Sequence, residues 1–247
     1  LPDLVLQSIS KRSASNLVVL QASLRYGNLK DLQNQTDMAS MAIAMLSRGV
    51  VGQSRKDFAE AMTALKATWS LQGGAEGLNV SLKLPADRLE DGLGLLLKAL
   101  TEPGFDAAEF EELKASAIAS IESSRQDPQA IAFRSMAAKL SSYPKGDPRY
   151  VPSFEESLQS IKSLRLEDVK AFWDRFVRPG PMSVSLIGDV SSERLNRAWT
   201  DFWKQWQAKR PALVAYERIP RPALDIRAHA QRIDTPEKKN AFWLAQQ

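Results

Sequence analysis

One imidazole and no thiol are all that this sequence of 247 residues offers to metal or nucleophilic chemistry: it contains a single histidine, His229, and no cysteine. Without cysteine there are no disulfides, no thiolate nucleophile and no cysteine-based zinc or iron-sulfur site. A catalytic zinc usually takes two or three imidazoles, and a Ser-His-Asp triad needs one that is correctly placed. His229 lies in the alternating run Leu224 to Ile233, on the same side as Asp225, Arg227 and Gln231. That pattern predicts a strand with His229 turned to solvent, and assigning it a catalytic role would need a second, partner group.

The remaining charges are unevenly placed. From Lys204 to Lys239 nine basic residues stand against four acidic ones, so the net charge of +4 is local to this stretch. Trp203 beside Lys204, Lys209 and Arg210 has the composition of a nucleic-acid site. The aromatics there, Trp199, Phe202 and Trp206, recur at helical spacing with Leu195 and Ala198, which predicts a core stripe instead. Acids also interrupt the basic run, as on a solvated face, so nucleic-acid binding is the weakest reading and none is expected.

The elements that would position any site are organised around one helix, Asp37 to Ser47. Met38, Met41, Met45 and Leu46 mark its larger flank, and Ala39, Ser40, Ala42 and Ala44 allow close packing. Gly49 suits the left-handed residue that follows a helix end. Between Asp37 and Arg48 this helix has no His, Cys, Glu or Lys. It supplies structure and no acid, base or metal ligand.

Before it, Leu4 to Ile9 and Leu17 to Tyr26 read as a hairpin of two strands. After it come a helix capped by Ser54, a strand pair around the glycines of residues 72–77, and a helix over 87–101 with a leucine stripe at 89, 93, 96, 97 and 100. Further helices are predicted over 106–125, where Glu109, Glu111 and Glu112 face water, over 127–141 and over 166–177, with a short one opened by Ser153 and Phe154 and carrying Leu158 and Ile161. Strand Met182 to Gly188 and a helix capped by Ser191 follow. Residues 1–210 form one domain in this reading, 211–222 a proline-rich linker, and 223–247 two strands that begin another unit or close the sheet. A hydrophobic content of 44% with 25% charged residues fits a globular chain, and no apolar run nears the roughly 18 residues of a membrane span. Starting at Leu1-Pro2, the sequence reads as a processed product or an excised domain.

In this order the pieces resemble the pitrilysin/insulinase family of zinc peptidases, the inverzincins. The likeness is carried by Met45-Leu46-Ser47-Arg48-Gly49, SRKDFAEAMTALKA, the GGAEG turn, TEPGFDAAEFEELK, SIESSRQDPQAIA, YPKGDPRY, LRLEDVKAFWDRFV, SLIGDV and RIDTPEKKNAFW. It covers nearly the whole chain and is nearest to the large two-half members of the Gram-negative envelope, which implies a periplasmic location. Active members carry H-x-x-E-H on the central helix, two imidazoles for Zn²⁺ and a glutamate to activate its water. Counting back from the Met-Leu-x-Arg-Gly end, those positions are Ser40, Ile43 and Ala44 here. The family's third ligand would fall near Ser120 to Glu122, where Glu122 is the one candidate remnant.

The resemblance therefore implies an α+β two-layer sandwich, with helices on one face of a mainly antiparallel sheet, and a degenerate, noncatalytic half with no cofactor of its own. Its expected partners are a zinc-bearing catalytic half, on the same or a neighbouring chain, and the unfolded peptides that the two halves enclose. A binding or assembly module without a proteolytic partner is the alternative.

Overall fold

A computed structural model of the chain describes residues 4–11, 16–141, 143–212, 216–220 and 232–234. Five strands form one sheet: β1 (Leu4–Ser10), β2 (Leu17–Arg25), β3 (Thr68–Gly74), β4 (Gly77–Pro85) and β5 (Met182–Gly188), in the order β1-β5-β2-β4-β3. β1 runs parallel to β5 and every other pair is antiparallel. The expected hairpin of the first two strands is not formed, because β5 lies between them and Ile187 opposes both Ile9 and Val19. Six linking residues can reach roughly 20 Å, ample for stepping over one strand at a spacing of about 4.8 Å. On the face turned to the helices the inner strand is the more apolar: Met182, Val184 and Leu186 of β5 are buried, whereas their partners Leu6 and Ser8 of β1 are only half-buried.

β3 and β4 make a tight hairpin whose ladder runs on to Gly74 opposite Gly77, further than the glycine content suggests. A Cβ on Gly73 would stand 2.1 Å from the Gly77 carbonyl oxygen, so absence of a side chain is what lets the ladder close.

Eight helices complete the described residues: α1 (Thr36–Met45), α2 (Arg55–Ala64), α3 (Leu89–Thr101), α4 (Ala107–Ser124), α5 (Pro128–Leu140), α6 (Phe154–Ser163), α7 (Leu166–Phe176) and α8 (Ser192–Lys209). Five of them start at side-chain oxygens that accept otherwise orphaned backbone N–H groups. Ser54 and Ser153 form capping boxes with Asp57 and Glu156, while Asp106, Asp127 and Ser191 cap α4, α5 and α8. Gly49 takes φ +101° after α1, as its position predicts.

The core is the alternate face of the strands, with Val18, Leu20 and Leu24 on β2 and Leu78, Val80, Leu82 and Leu84 on β4. It is closed by the leucines of α3, by Val169, Phe172 and Phe176 of α7, and by Trp199, Phe202 and Trp206 of α8. Each such side chain contributes about 1.5–3 kcal/mol on burial. Trp203 is buried too, so the aromatics of α8 belong to the core and not to a surface site. The fold is an α+β two-layer sandwich. No helix among the described residues is long and apolar enough to cross a membrane.

The proline-rich stretch folds back onto the domain where it is described: Tyr216 bridges Gly27, the Glu217 N–H donates to the Gly27 carbonyl, and Arg149 donates to the Pro220 carbonyl. His229 and the two strands expected within 223–247 lie outside the described residues, apart from residues 232–234.

Candidate functional site

α1 lies between β3 and α7, and the three motif positions fall in its middle. Ser40 is exposed, and its hydroxyl donates to the Thr36 carbonyl at 2.9 Å, back into its own helix. Ile43 is buried and seats over the hairpin glycines: its Cδ1 is 3.1 Å from the point where a Cβ on Gly73 would stand. A Cβ on Gly74 would likewise stand 3.7 Å from Ser40 Oγ. Ser40 and Ile43 of α1 thus meet glycines on β3, whose missing side chains let helix and strand approach closely. Ala44 is half-buried and brings only a methyl group.

A hydroxyl, an alkyl chain and a methyl do not fit zinc, which takes imidazole, carboxylate or thiolate donors. Glu122, on α4, is instead paired with Arg125 at 3.1 Å, both side chains substantially exposed. Among the described residues no group of three His, Cys, Asp or Glu side chains comes together as a metal site.

Below the motif, the end of α1 is tied down by charge. Arg48 pairs with Glu109 at 3.0 Å and Glu112 at 2.8 Å, and Arg55 at the start of α2 reaches the same two carboxylates at 3.2 and 3.0 Å. Hydrogen bonds from Arg48 and then Arg55 hold Glu112 below the usual carboxylate range. Glu109 and Glu112, read from the sequence as solvated acids, in fact anchor both arginines. Their spacing of three residues, which places two carboxylates on one helix face, was the signal available for this.

The sequence also gave no warning of a cleft of about 360 Å³ at the N-terminal end of α1, between Asn34, Asp37, Lys145, Tyr150, Glu156 and Ser160 among others. Its carboxylates are already engaged. Asp37 accepts the Ser160 hydroxyl. Glu156 accepts Lys145 Nζ at 2.7 Å, the Ser153 N–H at 2.9 Å and the Tyr150 hydroxyl at 2.9 Å. Those three donors, Lys145 foremost, pull its carboxyl down to about 2. Buried Asp147 is clamped by Arg149 at 2.7 Å, which lowers its pKa, and the guanidinium lies over the Tyr143 ring. Left-handed Asn34 and Gly146 (φ +59° and +95°) bring the loop back to α1, with the Asn34 N–H donating to the Gly146 carbonyl. The loop is built as an anchor: its ion pairs hold chain in place and leave no carboxylate poised as a base.

No protein-family model matches the sequence, and no curated protein matches it. Solved structures share its fold. A structure described as a peptidase M16 inactive domain from Pseudomonas fluorescens superposes with a TM-score of 0.72 at 23% identity, over 89% of this chain and 51% of its own. A protease from Helicobacter pylori gives 0.69 at 13% identity, over 88% and 50%. A conserved protein from Enterococcus faecalis gives 0.63 at 16% identity, over 80% and 49%. The chain spans about half the length of each of these structures.

Proposed function

We propose that this chain is an inactive half of a zinc peptidase of the pitrilysin/insulinase type, forming one wall of a chamber that a metal-bearing half completes. The observation that carries this is the pairing of fold and motif. The sandwich matches a structure described as an inactive peptidase domain over 89% of the chain, while the three positions where an active member would hold its ligands and base carry Ser40, Ile43 and Ala44. Fold likeness alone would suggest a protease, but function resides in the site, and the three motif positions bring no group able to bind Zn²⁺ or activate water. The zinc and the general base belong, in this reading, to the partner half, and unfolded peptide is the substrate of the pair. An envelope location goes with the reading and is checked by fractionating cells that express the parent gene.

A mixing assay tests it. The H-x-x-E-H half encoded with this chain is titrated against it on a fluorogenic peptide, with complex formation followed by size exclusion. The expected result is a complex that cleaves the peptide much faster than either half alone. Activity belonging wholly to the metal-bearing half, with no complex, would leave this chain as a binding or assembly module.

A further inference from the structure

By composition residues 211–222 are a linker, and a proline-rich linker is ordinarily a semi-rigid spacer between units. Residues 216–220 are placed otherwise, held to the domain at three points. Tyr216 forms a parallel bridge with Gly27, and the Glu217 N–H donates to the Gly27 carbonyl at 3.0 Å. Ile219 is half-buried and packs against the core, while Tyr216, Glu217, Arg218 and Pro220 are exposed. Arg149 Nη1 donates to the Pro220 carbonyl at 2.6 Å.

The domain sets up the Arg149 contact in advance. Arg149 Nε donates to Asp147 Oδ1 at 2.8 Å and Nη2 to Asp147 Oδ2 at 2.7 Å, with the guanidinium carbon 3.9 Å from the centre of the Tyr143 ring. One edge and one face of a rigid planar fork are thereby fixed, which leaves Nη1 directed at Pro220. The Asp147 and Arg149 side chains are 6% and 11% exposed, so the pair escapes most of the screening that weakens a surface ion pair. The two footings are also joined, since the Asn34 N–H donates to the Gly146 carbonyl and ties the chain after Gly27 to the loop of Arg149. At the other end of the linker Arg210, which follows α8, lies 3.8 Å from the centre of the Trp173 ring and donates to the Asp174 carbonyl. Both ends are thus clamped by an arginine laid on an aromatic ring.

We propose that residues 216–220 are a strap, that Arg149 is its lock, and that the strap makes the residues after 220 start from a fixed point on the domain. A tether held at Arg210 alone would let the following chain swing through every direction its length allows. With the strap down, free chain begins beside the Arg149 loop, and its direction is a property of this domain. Apart from Ile219, what the domain holds is backbone, and the fixed φ of Pro220 limits how that backbone can turn.

Hydrogen exchange of the Glu217 amide in the full chain tests the strap, with trypsin as a second readout. Arg210 and Arg221 each precede a proline, which resists trypsin, so Arg218–Ile219 is the bond of this stretch that the enzyme can cut. Its cleavage rate follows how often the strap opens. Arg149→Lys keeps a cation for Asp147 but lacks the fork that serves Asp147 and Pro220 together, and Ile219→Ser removes the apolar footing. Each variant is expected to speed Glu217 exchange and Arg218 cleavage about tenfold, the factor lost with one good contact, while the β4 amides keep their wild-type rates. Should Arg149→Lys also loosen β4, Ile219→Ser decides, because that change lies on the strap alone. Wild-type rates at Glu217 and Arg218 in Arg149→Lys, or in the deciding Ile219→Ser, would overturn the proposal. So would a wild-type Glu217 amide that exchanges as fast as in the unfolded chain, the mark of a free tether.

Discussion

The middle of α1 and the loop of residues 143–156 are built by opposite means. The helix is held by shape: Ile43 rests over Gly73, Ser40 lies near Gly74, and Met41, Ala42, Met45 and Leu46 enter the core without a charge among them. The loop is held by ion pairs: Lys145 with Glu156, Arg149 with Asp147, and Tyr150 donating to Glu156. The difference shows that carrying charge does not mark the functional element here. The three motif positions, Ser40, Ile43 and Ala44, carry no ionisable group, and the perturbed carboxylates of the loop, Asp147 and Glu156, form a structural clasp.

The comparison breaks most visibly at Ile43. Placing a carboxylate there, Ile43→Glu, puts an unpaired charge against the hairpin glycines and should cost about 3 kcal/mol or more, read as a lower urea midpoint. Ser40→His, on the exposed side of the same helix, should stay within about 0.5 kcal/mol. Equal and small effects at both positions would mean that the helix is not packed as described. The close seat itself is probed by Gly73→Ala, whose Cβ would meet the Gly77 carbonyl; a loss of about 1–3 kcal/mol is expected from forced backbone movement.

The loop should answer to pH instead. In the folded chain the Glu156 carboxyl is held at about 2, below the roughly 4.3 of an unfolded glutamate. A depressed carboxylate contributes stability that is fully present above the unfolded value and is lost as pH falls through the folded one. The unfolding midpoint is therefore expected to fall between about pH 5 and pH 2, and Glu156→Gln should lower the midpoint above about pH 5 and flatten that fall, so that the two proteins converge at low pH. Since Glu156 is partly solvated, the effect is the smallest of the set. A profile that Glu156→Gln leaves unaltered would show that the clasp adds no stability.

What the sequence displayed well were features set by local chemistry. The helical stripes of α3, α7 and α8, the Ser54 cap and the Gly49 stop all depend on residues a few places apart. Pairing between distant strands was not legible: nothing in Leu4 to Tyr26 announces that β5, more than 150 residues later, will separate β1 from β2. The arginine anchors of Glu109 and Glu112 were hidden for the same reason, since Arg48 lies 61 residues away from Glu109. At the motif the sequence gave the residue types, and the structure added that Ile43 is buried while Ser40 is exposed. Putting H-x-x-E-H back into α1 thus asks a core position to accept a charge. The variant Ser40→His, Ile43→Glu, Ala44→His is expected to bind metal weakly at best, because ligating imidazoles also need acceptors that fix their orientation.

The most direct test of the central claim is the zinc content of the purified wild-type chain, loaded with Zn²⁺, passed through a desalting step and analysed for metal alongside Glu122→Ala. With Ser40, Ile43 and Ala44 at the motif positions, the predicted result is far less than one zinc per chain and no difference between the two proteins. Close to one zinc per chain in the wild type, lost in Glu122→Ala, would contradict it.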